Sequence, residues 1–207
     1  MRIRNILICV VLFASAVAAA QKVERIGAPP ASVPEVLRQA VEDKGYRVAL
    51  DGGWTADFWF VKQLKTETKD VPGALYPELT NGELVGVITL PQAMTDYRGQ
   101  NIAAGTYTLR YQVLPQDGNH LGVAPNPDFL LTVPVASDSQ LESIPYKKLI
   151  AMSAKSTGSS HPGVIAMESA GEPGSVRKEE REMVFSVTAP AGGGEKLGIV
   201  VKGTAGQ

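Results

Sequence analysis

Along most of the chain apolar side chains recur every second residue. Thr106 to Val113 carries the clearest example: Tyr107, Leu109, Tyr111 and Val113 share one face, with Thr106, Thr108, Arg110 and Gln112 on the other. Tyr46, Val48 and Leu50 alternate in the same way. The turn Asp51-Gly52-Gly53 then joins them to a second strand over Trp54 to Val61, forming a hairpin. Leu84 to Leu90 is apolar on both faces, the pattern of a central strand, and Asn81-Gly82 before it marks a tight turn. Further short strands are predicted over Phe129 to Val133, which Pro134 stops, over Val164 to Met167, at Met183, Phe185 and Val187, and over Leu197 to Val201. The mixed-charge run Arg177 to Glu182 reads as a solvated hairpin arm.

Two stretches follow the helical period instead. Ser32-Val33-Pro34-Glu35 opens the first with capping chemistry, Val36, Leu37, Ala40 and Val41 form its apolar stripe, and Gly45 ends it. Ser143 caps the second, Tyr146, Leu149, Ile150 and Ser153 face the core, and Gly158 ends it. Polar, Gly/Pro-rich loops run over residues 65–79, 96–104 and 115–127. About eight short strands, two helices, no internal repeat and no βαβ rhythm predict a mainly β fold. The expected architecture is an antiparallel β-sandwich, Ig-like or transthyretin-like, with two peripheral helices.

Residues 1–20 break both periods. Arg2 and Arg4 precede the apolar run Ile6 to Val17, and Ala18-Ala19-Ala20 supplies the small residues a signal peptidase reads. This predicts a secretory signal cut before Gln21. The apolar run is shorter than the ~20 residues a membrane helix needs. Ile8 before Cys9 argues against a lipoprotein. The expected division is a signal at 1–20, a linker at 21–31, one domain at 32–203 and a tail at 204–207, in a periplasmic or extracellular setting.

Composition changes the picture once the signal is set aside. The 207-residue chain is 44% hydrophobic with a formal charge of −1; without Arg2 and Arg4 that becomes −3, and Cys9, the only cysteine, goes too. A cysteine-free exported domain rests on its core rather than on disulfides. The 21 glycines and 14 prolines exceed the usual share but lie between strands, as punctuation. Collagen, disulfide scaffolds, coiled coils and basic nucleic-acid binders are excluded, and no later apolar run is long enough to span a bilayer.

Catalytic signatures are missing: no Gly-x-Ser-x-Gly, His-Glu-x-x-His or P-loop is present. Two loop histidines, His120 and His161, are candidate copper or zinc ligands if the loops meet, with Asp117, Asp128 or Met167 completing the set. The alternative is that each histidine braces its own loop. Arg98, with Tyr97 beside it, offers a planar fork for Asp96, Asp128 or a ligand carboxylate. Trp54 and Trp59 are candidate sugar-stacking platforms, although alternation sets them on opposite faces.

Through Asp96-Tyr97-Arg98-Gly99-Gln100, Gly105-Thr-Tyr-Thr-Leu-Arg-Tyr111, Asp117-Gly-Asn-His120 and Asp128-Phe-Leu-Leu131, the chain resembles a group of uncharacterised exported bacterial β-sandwich proteins. The Trp59 strand and His161-Pro162 fit the same group. The resemblance implies a small sandwich domain behind a signal peptide and carries over no catalytic or binding residue. The expectation is therefore a non-enzymatic binding or interaction module of the cell envelope. Its partner would be an envelope protein or a small ligand, with no nucleic acid, no cofactor and no membrane span. The alternatives are a copper or zinc protein and a carbohydrate-binding module.

Overall fold

A computed structural model describes residues 21–67, 71–114, 126–180, 182–188 and 194–203. Ten strands join in one antiparallel sheet. In chain order they are β1 (Lys22–Ile26), β2 (Gly45–Ala49), β3 (Thr55–Phe60), β4 (Leu84–Leu90), β7 (Gly105–Val113), β8 (Asp128–Pro134), β9 (Gly163–Glu168), β10 (Ser175–Glu179), β11 (Glu182–Thr188) and β12 (Lys196–Lys202). The spatial order is β1-β2-β3-β4-β7-β8-β9-β12-β11-β10, and β5 (Met94–Thr95) pairs with β6 (Asn101–Ile102) in a separate ribbon. The sheet curls until its edge strands β1 and β10 approach within 8 Å, Cα to Cα, giving a nearly closed barrel. The mainly β, antiparallel fold with two helices is as expected, but the strands form one curled sheet with no division into two.

Segment 21–31, expected as a linker, begins with β1, which pairs along its whole length with β2, from Lys22 opposite Ala49 to Ile26 opposite Gly45. Its composition hides it: an edge strand faces water over much of its surface, so KVERI carries too few apolar residues to signal a strand. The first helix, α1 (Glu35–Ala40), is shorter than predicted. Pro34 is itself the N-cap, extended at φ −50° and ψ 140°, and Val33 closes a turn on Pro30 O at 3.0 Å, so Ser32 lies outside the helix. At the other end Val41 bridges to Val61 and the Glu42 N–H donates to Phe60 O, so sheet pairing overrides the helical stripe. Gly45 starts β2 because a Cβ there would lie 2.6 Å from both Phe58 O and Trp59 Nε1. The second helix, α2 (Tyr146–Thr157), ends as predicted at Gly158, whose φ is +65°.

The interior is filled with side chains. The predicted inward face of β7 (Tyr107, Leu109, Tyr111, Val113) is buried, and it joins Phe58, Ile88, Leu130, Ile165 and Ile199 in one cluster. Phe185 of β11 lies 5.3 Å from Phe58 and 5.7 Å from Tyr46, ring centre to ring centre, so the two ends of the sheet close onto each other through aromatic contact. Three elements cover the outer surface. Leu37 of α1 joins the main cluster; Leu149 and Met152 of α2 pack on Phe129, Leu131 and Val133 of β8; Tyr97 packs with Ala166, Val184 and Val200. Among the described residues no helix is long and apolar enough to cross a membrane.

Candidate functional site

The Tyr97-Arg98 loop is built around Asp96, which is 1% exposed. Its Oδ1 accepts the N–H groups of Arg98 (3.0 Å) and Gln100 (2.7 Å). Its Oδ2 accepts Gln100 Nε2 (3.0 Å) and the Val164 N–H (3.2 Å). The Asp96 N–H closes the turn on Gln100 O at 2.7 Å, with Gly99 at φ +82°. Burial raises the Asp96 carboxyl pKa against the opposing pull of these donors. The ribbon β5–β6 supports the loop from beneath, and Gln100 Nε2 reaches Pro162 O at 3.2 Å, tying it to the turn before β9.

This scaffold separates two neighbouring side chains. Tyr97 turns inward; burial first, and then its hydrogen bond to Glu182, pushes its phenol up to about 12. Arg98 stays exposed, and its guanidinium makes no ion pair or hydrogen bond among the described residues. Asp96 therefore holds the backbone of Arg98, while the charged side chain has no partner among the described residues.

Arg98 stands on the rim of a pocket of about 60 Å³ between α2, β8 and β9, walled by Phe129, Ile150, Val164 and Ala166. Tyr97, Pro162 and Asp128 also line it. Asp128 is 1% exposed and already engaged: Oδ1 accepts the Tyr111 hydroxyl (2.6 Å) and the Tyr76 N–H (3.1 Å), and Oδ2 accepts the Leu75 N–H (2.7 Å). The Tyr76 hydroxyl donates to Glu168 O and accepts from the Gly198 N–H, at 2.7 and 2.8 Å. Asp128 thus binds the loop around Tyr76 across one mouth of the barrel.

The chain matches no protein-family model, no curated protein and no solved structure.

The remaining candidates divide. His161 is exposed in the turn after α2; its backbone carbonyl accepts Thr157 Oγ1 at 2.7 Å, and its neighbour Pro162 lines the Arg98 pocket. His120 and Asp117 lie outside the described residues; the flanking Leu114 and Asn126 both line the same pocket. Met167 is 1% exposed in the barrel interior, opposite Ile199 and within the apolar cluster. Among the described residues no group of three His, Cys, Asp or Glu is placed to hold a metal ion. Trp59 is 4% exposed and donates Nε1–H to Gly27 O at 2.8 Å, so it braces the chain before α1 and shows no face to a sugar. Trp54 is half-buried beside an open groove of about 430 Å³ that Thr95 and Lys202 also line.

Sequence reasoning missed two buried polar centres. One is Asp128 with Tyr111 and Tyr76. The other is the Arg110–Asp138 pair on the outer face of β7, where both side chains are fully buried. The available signal was Arg110 itself: an arginine at mid-strand of the most regular strand needs a partner.

Proposed function

We propose that this protein is an exported, non-enzymatic binding module of the cell envelope, and that the pocket under Arg98 is its ligand site. The observation that carries this reading is convergence: Tyr97, Arg98 and Asp128, separated by up to 31 positions, line one concave space, and Arg98 at its rim has no side-chain partner among the described residues. The curled, nearly closed sheet serves as the scaffold that carries these residues. Export itself rests on the pattern of residues 1–20. A fragment screen followed by amide shifts on the full-length protein tests the site, with Arg98, Val164 and Ala166 expected to respond. Hydrolase turnover lost on changing one loop residue would overturn the reading.

A copper or zinc protein is the second reading. It is favoured by three residues that line one pocket: Pro162, the sequence neighbour of His161, and Leu114 and Asn126, which flank the undescribed segment containing His120. Metal analysis of untagged protein, with His161→Ala as control, tests it; stoichiometric metal lost in the variant supports it. A sugar site would have to use Trp54 in its groove, and Trp54→Ala should then abolish oligosaccharide binding.

A further inference from the structure

The size, wall and charge of the Arg98 pocket together narrow its ligand, on the reading of that pocket as the binding site. We infer that it takes a short aliphatic carboxylate, with the tail inside and the carboxylate on the Arg98 guanidinium. Size sets the tail. A water-sized unit needs about 10–15 Å³ on this measure, so a pocket of about 60 Å³ holds roughly four to six heavy atoms, enough for an isobutyl group. The wall sets its chemistry: Phe129, Ile150, Val164 and Ala166 present carbon, which an apolar tail dehydrates favourably.

Charge sets the orientation. Asp128 lies at the lining, but its carboxylate is turned to the Tyr111 hydroxyl and the Tyr76 and Leu75 N–H groups, and the carbon wall of the pocket offers an anion no donor. The head group must therefore sit at the rim, where the exposed Arg98 has no partner among the described residues. A guanidinium fork matches a carboxylate with two parallel N–H···O bonds. The Asp96 turn pre-positions the residue that carries it, lowering the ordering cost of binding. An ammonium-headed ligand is disfavoured by the same cation at the rim.

Isovalerate, its neutral amide isovaleramide, and acetate are the probes, titrated into the full-length protein and followed by backbone amide shifts. Isovalerate should give saturable shifts at Arg98, Val164 and Ala166. Isovaleramide, which lacks the charge, and acetate, which lacks the tail, should each bind at least about threefold more weakly, the scale of an exposed ion pair. Arg98→Gln should reduce isovalerate to the level of the amide and leave the amide unchanged. Equal binding of acid and amide, or an unchanged isovalerate affinity in Arg98→Gln, overturns the carboxylate inference and leaves the site in place. Silence of all three probes while another fragment class shifts the same amides also overturns the inference alone. Silence of those amides to every fragment overturns the site as well.

Discussion

Arg110 and Asp138 form a bidentate ion pair from which water is excluded: Nε lies 2.8 Å from Oδ2, Nη2 lies 2.8 Å from Oδ1, and both side chains are fully buried. The other guanidinium N–H groups donate to the carbonyls of Gly82, Gln140 and Glu142, and Thr108 donates its hydroxyl to Oδ2 at 2.6 Å. One arginine thus fastens the segment before α2 to the outside of β7. Asp138→Ala strands a buried cation and should cost about 3–5 kcal/mol. Arg110→Met with Asp138→Leu should cost much less than the two single changes together. Denaturant midpoints of Asp138→Ala, the two single changes and the double variant check this; additive losses in the double variant would contradict it.

Gly82 and Gly99 have nearly the same backbone, at φ +79° and +82°, in different surroundings. A Cβ on Gly99 meets nothing within 4 Å, whereas one on Gly82 would lie 2.1 Å from Ile144 O. Gly99→Ala should cost the left-handed strain alone, about 1–2 kcal/mol. Gly82→Ala should add an overpacking cost of about 1–3 kcal/mol. Thermal unfolding of the two variants reads the difference directly.

Alkaline pH should unfold the protein through its tyrosines. Burial, the leading cause at each, raises Tyr76 and Tyr97 to about 12 and raises Tyr111 further, its bond to Asp128 adding to the effect. In the unfolded chain these groups ionise near ~10. Folding therefore favours the protonated phenols. Their contribution is complete below about pH 10 and is lost as pH rises through about 12. Unfolding midpoints should fall across that window, and less steeply in Tyr97→Phe.

Glu168 gives a change of the same sign at acid pH. Burial, and then repulsion from Glu182, raise its carboxyl above the usual range. Its folded pKa exceeds the unfolded value, so its favourable contribution is present below about pH 4 and lost as pH rises. Glu168→Gln should accordingly stabilise the protein at pH 7 and make no difference at pH 3. A gain that persists at pH 3 would assign the effect to packing.

The two tryptophans should report separately. Trp59, buried and bonded to Gly27 O, should emit to the blue and resist iodide; Trp54, half-buried at its groove, should be quenched. Trp59→Phe removes one hydrogen bond and should cost about 0.5–1.5 kcal/mol, since Gly27 is exposed and water can replace the donor to its carbonyl. Fluorescence of each single-tryptophan protein checks both assignments.

Period two marks a strand legibly when one face is buried, as in β7, and so most of the sheet could be read from the chain. It fails for β1, an edge strand that pairs on one side only. Closure of the sheet was not legible either, because curvature depends on which strands meet, as Tyr46 and Phe185 do across 139 positions. At the site, the Asp96 turn was visible as a specific loop. The destination of Arg98 was not: Asp96 spends its oxygens on backbone N–H groups and the Gln100 amide, so it does not pair with the guanidinium beside it. Asp128 likewise reads as a candidate ligand until the Tyr76 loop is seen to supply its partners.

The near-closure of the sheet also governs when the chain can fold. Phe185, which β11 delivers late, packs against Tyr46 and Phe58 from the early strands, and β12 inserts between β9 and β11. No leading portion can seal its interior before roughly the last twenty described residues have been made, and contacts of such long sequence separation form slowly. A newly made chain therefore cannot reach its closed, packed form until synthesis is almost complete. For the exported protein we propose, that delay favours transport as an unfolded chain.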